Sequence, residues 1–326
     1  MSVFEEDLPL RVLSYCKRKA LFERGRKALL AVSGGSDSVF LLYVLNRFKR
    51  QLGIEIVVGH VDHQLRKSSK EDAEFVKESA ERMGVQFFLK TGDVRGYARA
   101  SGKTIEESAR EVRYKLLFEM KEESASDYVV TGHTATDQAE TVLFRLLRGS
   151  GLTGLTAVEL KDERGVRRPL LCVTREEVKN FLQKEGLPFR EDESNTDKRF
   201  TRNRIRLDVL PLLKDLNPRV EFALCAVAED ARQIRDWISR IVEGGLEIRG
   251  NEVFISKENA FRLGHELLPY ALLDGFHKLT GRPFGLLRRH IEGVLRVAFR
   301  KEKALLKLPR GVTAYVDKHG ITLKRQ

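Results

Sequence analysis

The chain has 326 residues, enough for about two domains that each bury a core. Hydrophobic residues make up 42%, charged residues 33% and prolines number only 8, which excludes long disorder and low complexity, while no run of ~18 uncharged apolar residues is present to span a membrane. A net charge of +12 points to a polyanionic partner, nucleic acid first, because lysines and arginines that neutralise phosphates release counterions.

The opening MSVFEEDLPL carries acids where a signal peptide needs a basic region, so a cytoplasmic protein is expected. Cys16, Cys172 and Cys225 show no C-x-x-C spacing, which leaves a zinc knuckle or an iron–sulfur cluster without its usual ligand pattern and predicts reduced, packed thiols. After a leading helical stretch, short apolar runs alternate with amphipathic segments, the pattern of a parallel sheet wrapped by helices. Strands are predicted at Lys27 to Val32, Glu55 to His60, Val85 to Leu89 and Tyr128 to Thr131. The helices that follow them are predicted at Val39 to Arg50, Lys70 to Met83, Ile105 to Glu122 and Gln138 to Leu147.

Between the first strand and its helix stands Ser33-Gly34-Gly35-Ser36-Asp37-Ser38. Two glycines admit a ligand close to the backbone, successive amides and a helix N-terminus favour an anion, and three hydroxyls add donors, so the segment reads as a pyrophosphate cradle. It has no Walker A lysine, and Asp37 beside phosphates makes sense mainly through a bridging Mg²⁺. A Gly-Ser turn capped by Asp37 is the plain alternative. His60, Asp62 and His63 follow the second strand, and at least one is expected to face a ligand. Arg110 and Arg113 share a helix face and could hold phosphates, or could only pair with Glu106 and Glu107. His133, Asp137 and Glu140 are predicted as one stripe of a helix that starts just after the fourth strand.

A helix opens at Thr174 with Glu177 three residues on, a capping box, and stops at Gly186. The charged stretch from Asp192 to Arg206 contains Lys198, Arg199, Arg202, Arg204 and Arg206, which suit phosphate contacts or a merely exposed basic loop. Lys214 to Pro218 breaks the pattern before a long helix near Arg219, which places a boundary between residues 1–216 and 217–326. The chain ends on a predicted hairpin, Ala304 to Leu308 and Thr313 to Leu323. Residues 281–326 hold twelve Lys and Arg against Glu292, Glu302 and Asp317, a net +9. Arg288, Arg289, Arg296 and Arg300 fall on one predicted helix there, the last three as a cationic stripe able to track an RNA backbone.

SGGSDS resembles the loop of the PP-loop ATP pyrophosphatases. His60-Val61-Asp62-His63-Gln64-Leu65-Arg66, Glu107 to Arg110 with Arg113-Tyr114, Gly132-His133 with Asp137-Gln138 and Glu140-Thr141, and Asp192 to Asn195 followed by Arg202 to Arg206 narrow the resemblance to the tRNA(Ile)-lysidine synthetases. The resemblance implies an α/β fold: an N-terminal doubly wound parallel sheet of the adenine nucleotide α-hydrolase-like kind with a smaller α+β C-terminal domain. It implies an ATP-dependent carbon–nitrogen ligase that adenylates the wobble cytidine of a CAU anticodon in tRNA(Ile) and joins free L-lysine to it. Ser33 to Ser38, His60, Arg110 and Arg113 would then bind ATP, with Asp37 on Mg²⁺, and Asp137 and Glu140 would take the lysine amines. Catalysis would fall to Asp37, His133, Asp137, Glu140, Arg204 and Arg206, and tRNA contacts to Arg202, Arg288, Arg289, Arg296 and Arg300. A PP-loop tRNA thiolase is the rival enzyme and an RNA-binding protein with a non-catalytic nucleotide fold the rival binder. The oligomeric state stays open, a homodimer included.

Overall fold

The computed structural model describes residues 7–64, 69–190, 198, 201–281, 285–300 and 302–325. Two compact units emerge, Met1–Gly149 with Ala157–Ala228, and Ser150–Thr156 with Glu229–Gln326. In the first, α1 (Leu8–Arg18) leads into β1 (Arg26–Ala31), α2 (Ser36–Leu52), β2 (Ile54–Asp62), α3 (Ser69–Arg82) and β3 (Phe87–Thr91). Then follow α4 (Val94–Ser101), α5 (Ile105–Glu123), β4 (Tyr128–Thr131) and α6 (Ala135–Leu147). The one-turn α7 (Leu152–Leu155) belongs to the second unit, and the chain returns to the first with the two-residue β5 (Val166–Arg167). The sheet is wholly parallel in the order β3-β2-β1-β4-β5, so the chain reverses its direction of growth between β1 and β4. In sheets of this kind that switch point, at the carboxyl ends of the strands, is where ligands sit.

Both faces of the sheet are covered, which is why its strands read as near-continuous apolar runs. Alternation along β1 sends Ala28 and Leu30 into a core with Phe40, Leu41 and Leu45 of α2, and sends Leu29 the other way, against Tyr114, Leu117 and Met120 of α5. The helix predicted from Val39 begins three residues earlier, because Gly35, extended at φ −71 and ψ 160, serves as its N-cap. Asp37 therefore lies in the first turn of α2 and not in a free loop. The helix α8 (Arg175–Lys184) carries the full capping box of Thr174 and Glu177. Beyond it come α9 (Thr201–Arg204), a π-helical turn over Ile205–Val209, α10 (Leu210–Leu216) and α11 (Val220–Glu243). Pro211 has no N–H to donate one turn back, and the chain takes the wider π turn just ahead of it.

The second unit is an antiparallel sheet in the order β6-β7-β10-β9-β8 against α12 (Lys257–Thr280) and α13 (Arg288–Arg300). Its strands are β6 (Glu247–Arg249), β7 (Glu252–Ser256), β8 (Ala304–Lys307), β9 (Val312–Val316) and β10 (Gly320–Arg325). The predicted terminal hairpin is thus corrected to three strands. The segment Thr313 to Leu323 folds back at Asp317, whose Oδ1 accepts the amides of His319 at 2.8 Å and Gly320 at 3.2 Å. Gly320 sits at φ +150, where any Cβ would meet the Ile255 carbonyl at 2.1 Å, so only glycine closes this turn. Among the described residues no helix is long and apolar enough to cross a membrane.

Candidate active site

The segment after β1 is a cradle held from within. Ser38 Oγ accepts the Ser33 amide at 3.1 Å and donates to the Gly35 carbonyl at 2.8 Å, which curls Ser33 to Ser38 into one turn over the start of α2. Gly34 adopts φ +91, a left-handed conformation that a side chain would strain, and its carbonyl accepts the Arg190 amide at 2.9 Å. Gly132 serves closeness instead: a Cβ there would meet the Asp37 carbonyl oxygen at 3.0 Å, so the glycine lets the loop after β4 lie against the cradle. His60 is buried behind the turn with Nδ1 2.8 Å from the Val32 carbonyl, and burial lowers its pKa.

His133 does not share a helical stripe with Asp137 and Glu140, as the spacing predicts. Thr134 is the N-cap of α6, which leaves His133 before the helix with Nδ1 2.8 Å from Thr131 Oγ1. Asp137 is the third residue of a capping box, its Oδ2 accepting the Thr134 amide and hydroxyl, each at 2.9 Å. Glu140, one turn on, is fully buried. Asp37, Asp137 and Glu140 all converge on one guanidinium that sequence reasoning passed over, that of Arg175. Its Nε lies 2.9 Å from Asp37 Oδ2, its Nη2 2.7 Å from Asp137 Oδ1 and its Nη1 3.3 Å from Glu140 Oε1.

From the other side Arg206 grips Glu140 twice, Nε to Oε1 at 2.5 Å and Nη2 to Oε2 at 2.9 Å, and Arg202 adds an Nε to Oε2 contact at 3.4 Å. Arg206 lies in the π turn and reaches the acid, whereas Arg204, a residue of the same motif, is exposed. Burial pushes the Asp37 carboxyl up and Asp137 adds to it, against the pull of Arg175. Burial alone would raise Asp137 too, yet Arg175, His133 and the Thr134 amide hold it well below the usual carboxylate range.

Beside the acids lies a cluster of arginines, of which Arg164 and Arg168 share Asp162 at 2.8 and 3.2 Å. Arg110 and Arg113 of α5 sit over the Tyr114 ring at 5.4 and 5.5 Å, with Arg164 on the same ring at 4.7 Å. Burial lowers the pKa of Arg110, and repulsion from Arg113, Arg202 and Arg168 lowers it further. Burial, with Arg168, Arg113 and Arg110 outweighing Asp137, holds His133 down at about 3, so its imidazole is neutral near pH 7. Like charges packed at such positions are an arrangement that a bound polyanion relieves.

The spacing of the motifs hides two further facts. Cys172 lies close enough to influence the titration of both Cys16 and Cys225, although the three are far apart in sequence. Burial pushes the thiols of Cys172 and Cys225 up to about 12 and that of Cys16 higher still, so they are inert. Among the described residues no three His, Cys, Asp or Glu are arranged to hold a metal by themselves. Arg175 was visible only as the first residue after the cap of α8, where a basic residue opposes the helix dipole, and that misfit was the one signal for it. Leu65, Arg66, Asp192 to Asn195 and Arg199 lie outside the described residues. Arg288, Arg289, Arg296 and Arg300 are exposed on α13, with Glu292 2.8 Å from Arg288.

The PP-loop domain model matches residues 10–213. A tRNA(Ile)-lysidine synthase of Clostridioides difficile is 33% identical over 324 residues, covering 97% of this chain and 70% of that protein. One from Thermotoga sp. is 37% identical over 246 residues, covering 74% of this chain and 59% of the relative, and one from Petrotoga mobilis is 31% identical over 268 residues, 82% and 86%. Among solved structures, the U34-tRNA thiolase of Methanococcus maripaludis superposes with a TM-score of 0.57 at 18% identity, over 69% of this chain and 77% of the thiolase, a likeness of fold.

Proposed function

The chain belongs to the tRNA(Ile)-lysidine synthases, ATP-using ligases with a PP-loop domain, and from that premise we propose how its residues divide the work. The observation that carries the reading is the meeting of Asp37, Asp137 and Glu140 at the switch point of the sheet, beside the Ser33 to Ser38 cradle and a patch of arginines. A protein that only bound RNA would have no use for three acids gathered among its cations.

The cradle amides and the N-terminus of α2 receive the ATP phosphates, and Arg110 and Arg113 take negative charge at the adjoining face. The carbonyl oxygen of the wobble cytosine attacks the α-phosphate and pyrophosphate leaves; the ε-amine of free lysine then attacks the activated carbon and expels AMP. Neutral His133, fixed by Thr131, offers Nε2 as a hydrogen-bond partner that brings no added positive charge. Asp137 Oδ1 faces the cationic amine of lysine, while Glu140, buried with both oxygens on Arg206, lends its charge from behind and keeps that arginine in place. Asp37 Oδ2 and Asp137 Oδ1 are hard oxygens close enough to share one guanidinium, a donor set that fits Mg²⁺ completed by phosphate oxygens. When bound, the ion would neutralise charge on the phosphates.

Catalysis by this scheme is positioning and charge neutralisation, and no thiol enters it, which separates it from a thiolase. Residues 1–216 are assigned the chemistry and residues 217–326 the holding of tRNA, through Arg288, Arg289, Arg296 and Arg300, with Arg202 contributing from the first part. Incubation with ATP, Mg²⁺, labelled lysine and tRNA(Ile) bearing CAU, followed by nucleoside analysis, should show lysine on the wobble cytidine. An active preparation that adds none would refute the assignment.

A further inference from the structure

The Arg175 guanidinium fills the point where the three acids converge, which is also where the proposed function, on which this inference rests, needs a substrate cation to sit. Its attachments are unequal in a telling way. If the guanidinium left, Glu140 would keep Arg206 on both oxygens, at 2.5 and 2.9 Å, and Asp137 Oδ2 would keep the Thr134 amide and hydroxyl. Two oxygens would lose their cation, Asp37 Oδ2 and Asp137 Oδ1, now 2.9 and 2.7 Å from Arg175. That pair of oxygens is the acceptor set an ammonium group or a divalent ion requires.

The backbone of Arg175 is anchored independently of its side chain. Its amide donates to Thr136 Oγ1 at 3.0 Å, that hydroxyl donates to Glu221 at 2.5 Å, and the Thr174–Glu177 capping box fixes the turn. The side chain is 21% exposed, so its flexible stem borders solvent while α8 is held by other contacts. A purely structural arginine would show the reverse, with the helix hung on its ion pairs.

We propose that Arg175 is a specificity-determining residue that holds the place of the incoming cation. Its guanidinium neutralises the carboxylates, and withdraws when a cation able to bind Asp37 Oδ2 and Asp137 Oδ1 arrives. Binding is thereby a competition, and weakly held cations fail to displace the internal one. The two cations of the reaction, the lysine ammonium and Mg²⁺, present the same chemistry to these oxygens and are separated by experiment.

Calorimetric titration of the whole chain with MgCl₂ and with L-lysine, each alone, would compare wild type with Arg175→Gln and Arg175→Lys, folding being checked by circular dichroism. Removing an internal competitor should tighten the displacing cation about tenfold in Arg175→Gln, with Arg175→Lys between the two. Tightening for lysine identifies the ammonium as the displacing group, and tightening for Mg²⁺ alone identifies the metal. Affinity unchanged or weaker for both cations would overturn the proposal and make Arg175 an organiser of the acids. Absence of lysine transfer to tRNA by the wild type would instead refute the assigned function, and the Mg²⁺ comparison would still read the displacement.

Discussion

Two sets of arginines in this chain show opposite uses of the same side chain. Arg175, Arg206 and Arg202 surround a glutamate that is 0% exposed, and each contact has a direction and a length that folding must reproduce. Arg289, Arg296 and Arg300 stand exposed along α13, where only their sign and spacing matter. In the first set the geometry is fixed and removal of one member strands the others; in the second the charges act nearly independently through water and salt. On the proposed function, the buried cluster serves selectivity and the exposed stripe serves affinity.

The largest break in that comparison should come from Glu140→Ala, which leaves Arg206 and Arg175 facing an empty position. A loss of about 3–5 kcal/mol in the urea unfolding free energy is expected. Arg289→Ala, its exposed counterpart, should fall within about 0.5 kcal/mol of wild type. Equal effects would erase the distinction. Next, Asp37→Asn should reduce ATP-dependent release of AMP about a hundredfold while tRNA binding, followed by filter retention, stays within a few-fold. Near wild-type turnover would reduce Asp37 to a first-turn residue of α2 that only favours the helix dipole.

Acid should expose the buried region and spare the stripe. The unfolded His133 titrates at 6.5, whereas the native one is held to about 3, so below the first value the unfolded chain binds a proton that the native chain refuses. The stability due to neutral His133 is present above that value and drains away as pH falls toward the second, at up to about 1.4 kcal/mol per pH unit. His60, lowered by burial, acts with the same sign. Asp137 adds its loss only below its ordinary value of 3.8. Urea titrations between about pH 6.5 and 4.5 should therefore show a shallower slope in His133→Gln by as much as one proton, and an unaltered slope would mean His133 is solvated.

The smallest effect belongs to the stripe. Replacing Arg289, Arg296 and Arg300 together by alanine should weaken all tRNAs alike and flatten log K against log salt by roughly 0.7 to 0.9 for each phosphate no longer neutralised. An unchanged slope with native circular dichroism would take α13 out of the tRNA-binding surface.

The parallel sheet, the cradle and the cap of α8 were legible in the sequence because each depends on residues a few positions apart: apolar runs, Ser33 to Ser38, Thr174 with Glu177. The candidate acids were legible by type for the same reason. Where local rules compete, the tertiary structure departs from the local pattern. Asp317 to Gly320 is flanked by apolar residues of strand pattern yet forms a turn, and His133 stands at helical spacing from Asp137 and Glu140 yet precedes the Thr134 cap.

What the sequence by itself determined, then, is which residues bear charge, which segments are strand or helix, and that a phosphate-binding turn follows the first strand. Only the tertiary structure decided who faces whom. Arg175 meets Asp37, Asp137 and Glu140 across separations of 138, 38 and 35 residues, and no periodicity extends that far. The reversal of strand order between β1 and β4 brings their carboxyl ends side by side, and Arg206, in the π turn before Pro211, meets Glu140 across 66 residues. Burial then supplies the rest: it makes carboxylates demand partners, keeps His133 neutral, and turns an arginine at the head of a helix into the counter-charge of the site.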